Sequence, residues 1–167
     1  MSKAFTSKQY FSQLNLIYFA QAGLMLLFAA VVFVLVYLGK VVVKVDESTK
    51  IYTYALAAVV VIGFSAAHFL YQQMLLRIDK GLPLKSKMPK YIGILLVRSA
   101  CLELPGLFAA IVFFLNGNFY LLFIPIFIAV VFYLLRPTPS SIADDLQLTP
   151  EERTLIDTPE AIIAEGK

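Results

Sequence analysis

The chain has 167 residues, 60% of them hydrophobic and only 15% charged, with a net charge of +3. An ordinary soluble domain carries about 45–50% apolar and about 25% charged residues, so a soluble chain of this composition could not cover its surface with polar groups. The basic residues border apolar blocks and form no stripe interleaved with aromatics, which argues against nucleic acid as a partner, and the single cysteine, Cys101, excludes an internal disulfide and cannot make a zinc site alone.

Two lysines, Lys3 and Lys8, precede the first apolar block, residues 14–38, whose strongly polar members are Asn15 and Gln21. This block is about 25 residues long, against the 7–15 of a signal-peptide core, and it should persist as a helix. The second, third and fourth blocks cover residues 51–76, 91–115 and 119–135. About 20 residues at 1.5 Å rise cross a hydrocarbon core of about 30 Å, so the expected fold class is an all-α integral membrane protein, a four-helix transmembrane bundle. Continuously apolar blocks also argue against a β-barrel, which alternates. Between the third and fourth blocks stand only Asn116, Gly117 and Asn118, which suit a tight turn and make the two helices an antiparallel hairpin. Pro125 is placed to kink the fourth helix, and Tyr120 and Tyr133 suit interfacial belts near its ends.

Charge between the blocks orients the bundle. The segment after the second block carries Arg77, Lys80, Lys85, Lys87 and Lys90 against Asp79 alone, the third connection carries no charge, and Arg136 directly follows the fourth block. The positive-inside rule then puts this loop and both termini in the cytoplasm, in a bacterial-type inner membrane. Lys40, Lys44 and Lys50, partly offset by Asp46 and Glu47, lie in the first connection.

The domain division falls at Arg136-Pro137: a four-span domain over residues 1–136 and an acidic cytoplasmic tail over 137–167. The tail holds seven acids (Asp144, Asp145, Glu151, Glu152, Asp157, Glu160, Glu165) against Arg153 and Lys167. Thr149-Pro150-Glu151-Glu152 is a capping box with proline at the first helical position. Thr158-Pro159-Glu160 repeats that theme, and Ser141 could open another short turn. An acidic tail beside a five-cation loop either folds back over the loop, docks a partner, or stays solvated and away from anionic lipid.

Polar groups inside the blocks are expensive and mark the candidate site. Counted from the cytoplasmic edge, Gln21, His68 and Arg98 come to a similar depth of roughly 10–12 Å, while Ser65 and Glu103 lie deeper, at about 18 Å. Ser65, His68 and Gln72 share one helix face, as do Ser99, Glu103, Gly106 and Ala110. Pro105 cannot donate to the Cys101 carbonyl, so a kink at Pro105-Gly106 could bring Arg98 and Glu103 together or expose that carbonyl. The layer is read either as structural, with Arg98 and Glu103 neutralising each other, or as a site for a proton, cation or polar headgroup; a partner subunit could also supply the counter-charge.

The run Cys101-Leu102-Glu103-Leu104 resembles the proton-carrying glutamate segment of rotary ATPase membrane-ring subunits over those few residues only. The eight glycines of this chain are scattered and do not make the glycine-rich helices of that family, so its function is not carried over. No phosphate-binding glycine loop, metal-spaced His/Cys group or nucleophile elbow occurs, and no cofactor or metal is expected. The expected function is an accessory or scaffold subunit acting through helix and tail contacts, with a protein partner or a second copy; whether it is an enzyme stays open, and the absence of a nucleophile or metal set leans against it. The alternatives are a proton- or cation-coupled carrier or channel component, and a quinone- or lipid-binding protein.

Overall fold

The structure is a computed structural model that describes residues 3–40 and 47–166. The elements run β1 (Lys3–Thr6), α1 (Ser7–Tyr37), α2 (Glu47–Leu76), α3 (Leu84–Asn116), a 3-10 turn (Phe119–Leu122), α4 (Phe123–Leu134), α5 (Pro139–Asp145), α6 (Pro150–Asp157) and β2 (Ile162–Gly166). The helical class expected from the sequence holds. Among the described residues three helices, α1, α3 and residues 50–76 of α2, are long and apolar enough to cross a membrane. A fourth candidate arises if Phe119–Leu134 and Pro139–Asp145, bent 80° to each other, count as one. Lys44 and Asp46 lie outside the described residues.

Helices α1 and α3 begin about a turn and a half to two turns before their apolar blocks. Helix α1 starts on a capping box: Thr6 Oγ1 accepts from the Gln9 backbone N–H, and Gln9 Oε1 accepts from the Thr6 N–H, both at 3.3 Å. The N–H groups of its first turn find partners in the tail, Ser7 donating to the Ala161 carbonyl at 2.8 Å and Lys8 to the Pro159 carbonyl at 3.1 Å. These are donors that a helix cannot satisfy internally. Helix α3 starts at Leu84, so Lys85, Lys87 and Lys90 belong to its first turns and not to a loop.

The α3–α4 connection is the tight turn that its residues imply. Gly117 takes the left-handed conformation (φ 66°) that closes α3, and Asn118 caps the 3-10 turn through the Tyr120 N–H. Pro125 does not kink α4, because it falls in the first helical turn, where no intrahelical acceptor is lost. Helix α3 likewise runs as one helix through Pro89 and Pro105.

The tail is folded. Helix α5 starts two residues before Ser141, at Pro139, with Thr138 as N-cap and Ser141 closing its capping box. Helix α6 starts on the expected Thr149–Glu152 box. The third Thr-Pro, at 158–159, opens a turn instead of a helix: the β-branched pair Ile162-Ile163 follows at once and enters β2, which pairs antiparallel with β1 in the register Phe5↔Ala164 and Thr6↔Ile162. Pairing β1 with β2 brings the two terminal segments to one end of the bundle.

Three apolar clusters stack along the bundle. The tail-end cluster joins Tyr10, Leu14, Tyr71, Met88 and Tyr91 of the long helices to Ile142, Leu146, Leu148, Ile156 and Ile163 of the tail. A middle cluster centres on Met25, Leu102, Ile128 and Phe132, and a far one on Val32, Leu56, Ala109 and Phe113. The solvated-tail reading is therefore corrected: residues 137–164 form a cap that shares a core with the helix ends. Outside the clusters the helices present large apolar side chains in quantity, Leu16, Leu24, Leu27, Val61, Ile62 and Phe127 among them. Soluble monomers rarely expose contiguous apolar patches above a few hundred Å².

Candidate functional site

A cleft of about 370 Å³ opens where α4 ends and the chain turns into the cap. Its walls come from four elements, each contributing one face. Helix α2 supplies His68, Tyr71 and Gln72 at i, i+3, i+4, helix α3 supplies Tyr91, Leu95 and Arg98 at i, i+4, i+7, and helix α5 supplies Ser141 and Asp145 at i, i+4. Leu134, Leu135, Arg136 and Pro137 close the side at the bend.

The tyrosines organise the charges. Tyr91 donates to Asp145 Oδ2 at 2.7 Å, Tyr71 donates to the same oxygen, and the two hydroxyls are 3.0 Å apart. The carboxylate of the tail is thus fixed by two hydroxyls rooted in α2 and α3. Arg98 lies over the Tyr71 ring with its guanidinium carbon 4.3 Å from the centroid, and Arg136 lies over Tyr133 at 4.9 Å. Both are cation–π contacts, which engage the guanidinium face and leave its N–H edge available.

The six polar residues singled out inside the apolar blocks do not form one layer. His68, Gln72 and Arg98 meet in the cleft. Gln21 instead accepts from the Ser99 hydroxyl at 2.7 Å and ties α1 to α3. Ser65 is exposed on α2, outside the cleft. Glu103 is partly exposed and has no hydrogen-bond or ion-pair partner among the described residues. Arg98 and Glu103 do not pair: five residues place them about 140° apart around a regular helix, and α3 does not break between them to undo that. Pro105 and Gly106 are both buried and serve packing. A side chain at Gly106 would meet Met25 Sδ, and one at Gly63 of α2 would meet Pro105 Cγ at 2.6 Å and the Cys101 carbonyl oxygen at 2.9 Å. The carbonyl that Pro105 leaves without a helical donor therefore faces the bare backbone of Gly63.

The basic segment divides too. Lys87 is buried at the cap and its ammonium bridges both Glu152 oxygens, at 2.9 and 3.1 Å. Lys85 is exposed but engaged, and Arg77, Lys80 and Lys90 are exposed. Sequence reasoning reached Lys87 and the tail acids as oppositely charged groups. It missed Tyr71, Tyr91 and Asp145 as a unit, and the only local signal was the helical spacing of Tyr71 with His68 and of Tyr91 with Arg98. A comparison with protein-family models, curated proteins and solved structures finds no match to this chain.

Proposed function

We propose that the chain is a four-span protein of a bacterial-type inner membrane, with the cap and both termini cytoplasmic, acting as an accessory or scaffold subunit through its helices and folded cap. The observation that carries the four-span part is the β1–β2 pairing. Joined termini lie on one side of any bilayer the chain crosses, so the number of crossings must be even. Three long apolar helices are odd, and α4 with its 3-10 turn is the segment left to return the chain. At about 26 Å, from twelve residues at 1.5 Å and four at about 2.0 Å, its length suits a crossing close to the cap.

The outer surface supports the same placement. Exposed residues on α1 change from Lys8, Gln9, Ser12 and Gln13 to Leu16 and Ile17, and those on α3 from Lys85, Ser86 and Lys90 to Leu96. Exposed Arg77, Lys80 and Lys90 at the capped end fit a cytoplasmic face opposite anionic lipid. The cap binds its own chain, so a partner would meet its outer surface or the apolar helix faces.

Thiol labelling with an impermeant reagent tests the topology in a Cys101→Ala background. Lys8→Cys and Glu160→Cys should label from one side and Asn118→Cys from the other; labelling of all three from one side would remove the four-span reading. Co-purification after gentle extraction tests the scaffold part, which a monodisperse monomer with no companion protein would count against.

A second reading, a proton- or cation-coupled component, has in its favour Glu103, which has no partner among the described residues. It requires pH-dependent flux in proteoliposomes that Glu103→Gln abolishes, and unchanged flux would end it.

A further inference from the structure

We propose that the cleft at the α4–α5 bend binds a phosphate group, with Arg98 and Arg136 as its cationic clamp and an apolar substituent of the ligand leaving toward the helix faces. Four observations converge on it. The cleft holds two arginines and a histidine against one carboxylate, Asp145. That carboxylate is bound by the Tyr71 and Tyr91 hydroxyls and makes no ion pair with either arginine. Each guanidinium rests on a tyrosine face, which fixes it without using its N–H fork. Planar forks of this kind bind phosphate oxygens in pairs.

Position and shape narrow the ligand. Arg98, Gln72 and Arg136 approach from two helices and the bend, which suits a tetrahedral oxyanion better than a flat carboxylate, while the Ser141 hydroxyl beside them is held by Thr138. Leu95, Leu134 and Leu135 form the apolar part of the wall, and Leu134 is 72% exposed on the outer face of α4. A volume of about 370 Å³ accommodates a head group and not a whole lipid. Arg136 sits where the outward-facing residues of α4 change from Tyr133 and Leu134 to charge, and Arg98, two residues past the exposed Leu96 of α3, is long enough to reach back toward that boundary, the level of a phospholipid phosphate if the four-span reading holds. The lipid source rests on that reading; the phosphate chemistry does not.

The experiment uses the full chain in neutral detergent and has two arms. In the first, equal amounts of phosphatidylglycerol and phosphatidylcholine are offered and the retained lipid is counted by native mass spectrometry. Retention of the anionic lipid should exceed the zwitterionic one by about tenfold and should approach parity in the Arg98→Gln/Arg136→Gln double variant, while Arg77→Gln/Lys80→Gln keeps the preference. In the second, inorganic phosphate alone is titrated calorimetrically. Saturable binding that the double variant loses, without any lipid preference, assigns the site to a soluble phosphate compound and still supports the clamp. Neither lipid preference nor saturable phosphate binding in the natural sequence overturns the proposal, as does full retention by the double variant. Should Arg98→Gln fail to fold, Arg136→Gln alone decides, because Arg136 is exposed on the rim and its loss should leave the core intact.

Discussion

Lys87 is 2% exposed, and an ammonium so placed survives only because Glu152 meets it with both oxygens. The same carboxylate accepts the Thr149 N–H at 3.1 Å and so closes the α6 capping box. Removing either partner then has unequal effects. Glu152→Ala leaves a buried ammonium unpaired and strips the helix start, and should destabilise the protein by about 3–5 kcal/mol. Lys87→Met keeps the buried stem and leaves behind an acid that is 16% exposed, and should cost about 1 kcal/mol. Thermal unfolding in detergent, followed by circular dichroism, would read the difference, and equal losses would refute this account of the pair. Asp145 invites a related comparison. Tyr71→Phe and Tyr91→Phe each remove one donor from a shared oxygen, and each should cost about 1–2 kcal/mol. The double variant should lose less or more than the sum, because the two hydroxyls also touch each other; strict additivity would mean that the three groups do not act as a unit.

At the scale of elements, the α2–α3 contact rests on Gly63. Pro105 deprives the Cys101 carbonyl of its helical donor, and Gly63 lets α2 come close enough to cover that oxygen. A methyl group at position 63 would stand 2.9 Å from backbone, which cannot swing aside as a side chain can. Gly63→Ala should therefore destabilise by about 1–3 kcal/mol, the usual cost of overpacking, even though alanine is the better helix former. Gly93, with open space around it, is the control, and Gly93→Ala should be neutral or stabilising. Much of this level was legible in the sequence. The long helices follow from block length and the α3–α4 turn from Asn-Gly-Asn, while of the six polar residues grouped by spacing and depth only His68, Gln72 and Arg98 line one cleft. The extra turns of α1 and α3 were not, since Lys8, Gln9, Lys85 and Lys90 are polar and hydropathy ends before them. A pairing of Arg98 with Glu103 was one reading of the complementary charge and needed a kink at Pro105-Gly106; α3 runs through as one helix, and the two stay apart. Asp145 was out of reach because its place depends on the 80° turn after α4 and on two tyrosines 74 and 54 residues away.

At the scale of the whole molecule, the terminal sheet restricts any membrane crossings between its two strands to an even number. Strand β1 leads directly into α1 and β2 is the last element, so pairing them fixes the start of the first long helix to the end of the cap. Ile163 and Ala164 are buried in the tail-end cluster, which ties the pairing to the core that α3 also shares. A cross-link tests it directly. Phe5 and Ala164 are opposite one another in the antiparallel pair, where Cα separations of about 4.5–5.5 Å are within disulfide range. In a Cys101→Ala background, Phe5→Cys with Ala164→Cys should close an intrachain disulfide on mild oxidation, seen as a mobility shift without reductant. Phe5→Cys with Asn118→Cys should not, because Asn118 follows α3 at the opposite end of the bundle. Closure of the first pair in intact membranes would place both termini on one face and leave only even crossing numbers, so α4 would have to return the chain. Failure of the first pair to close, or closure of the second, would break that argument where it begins.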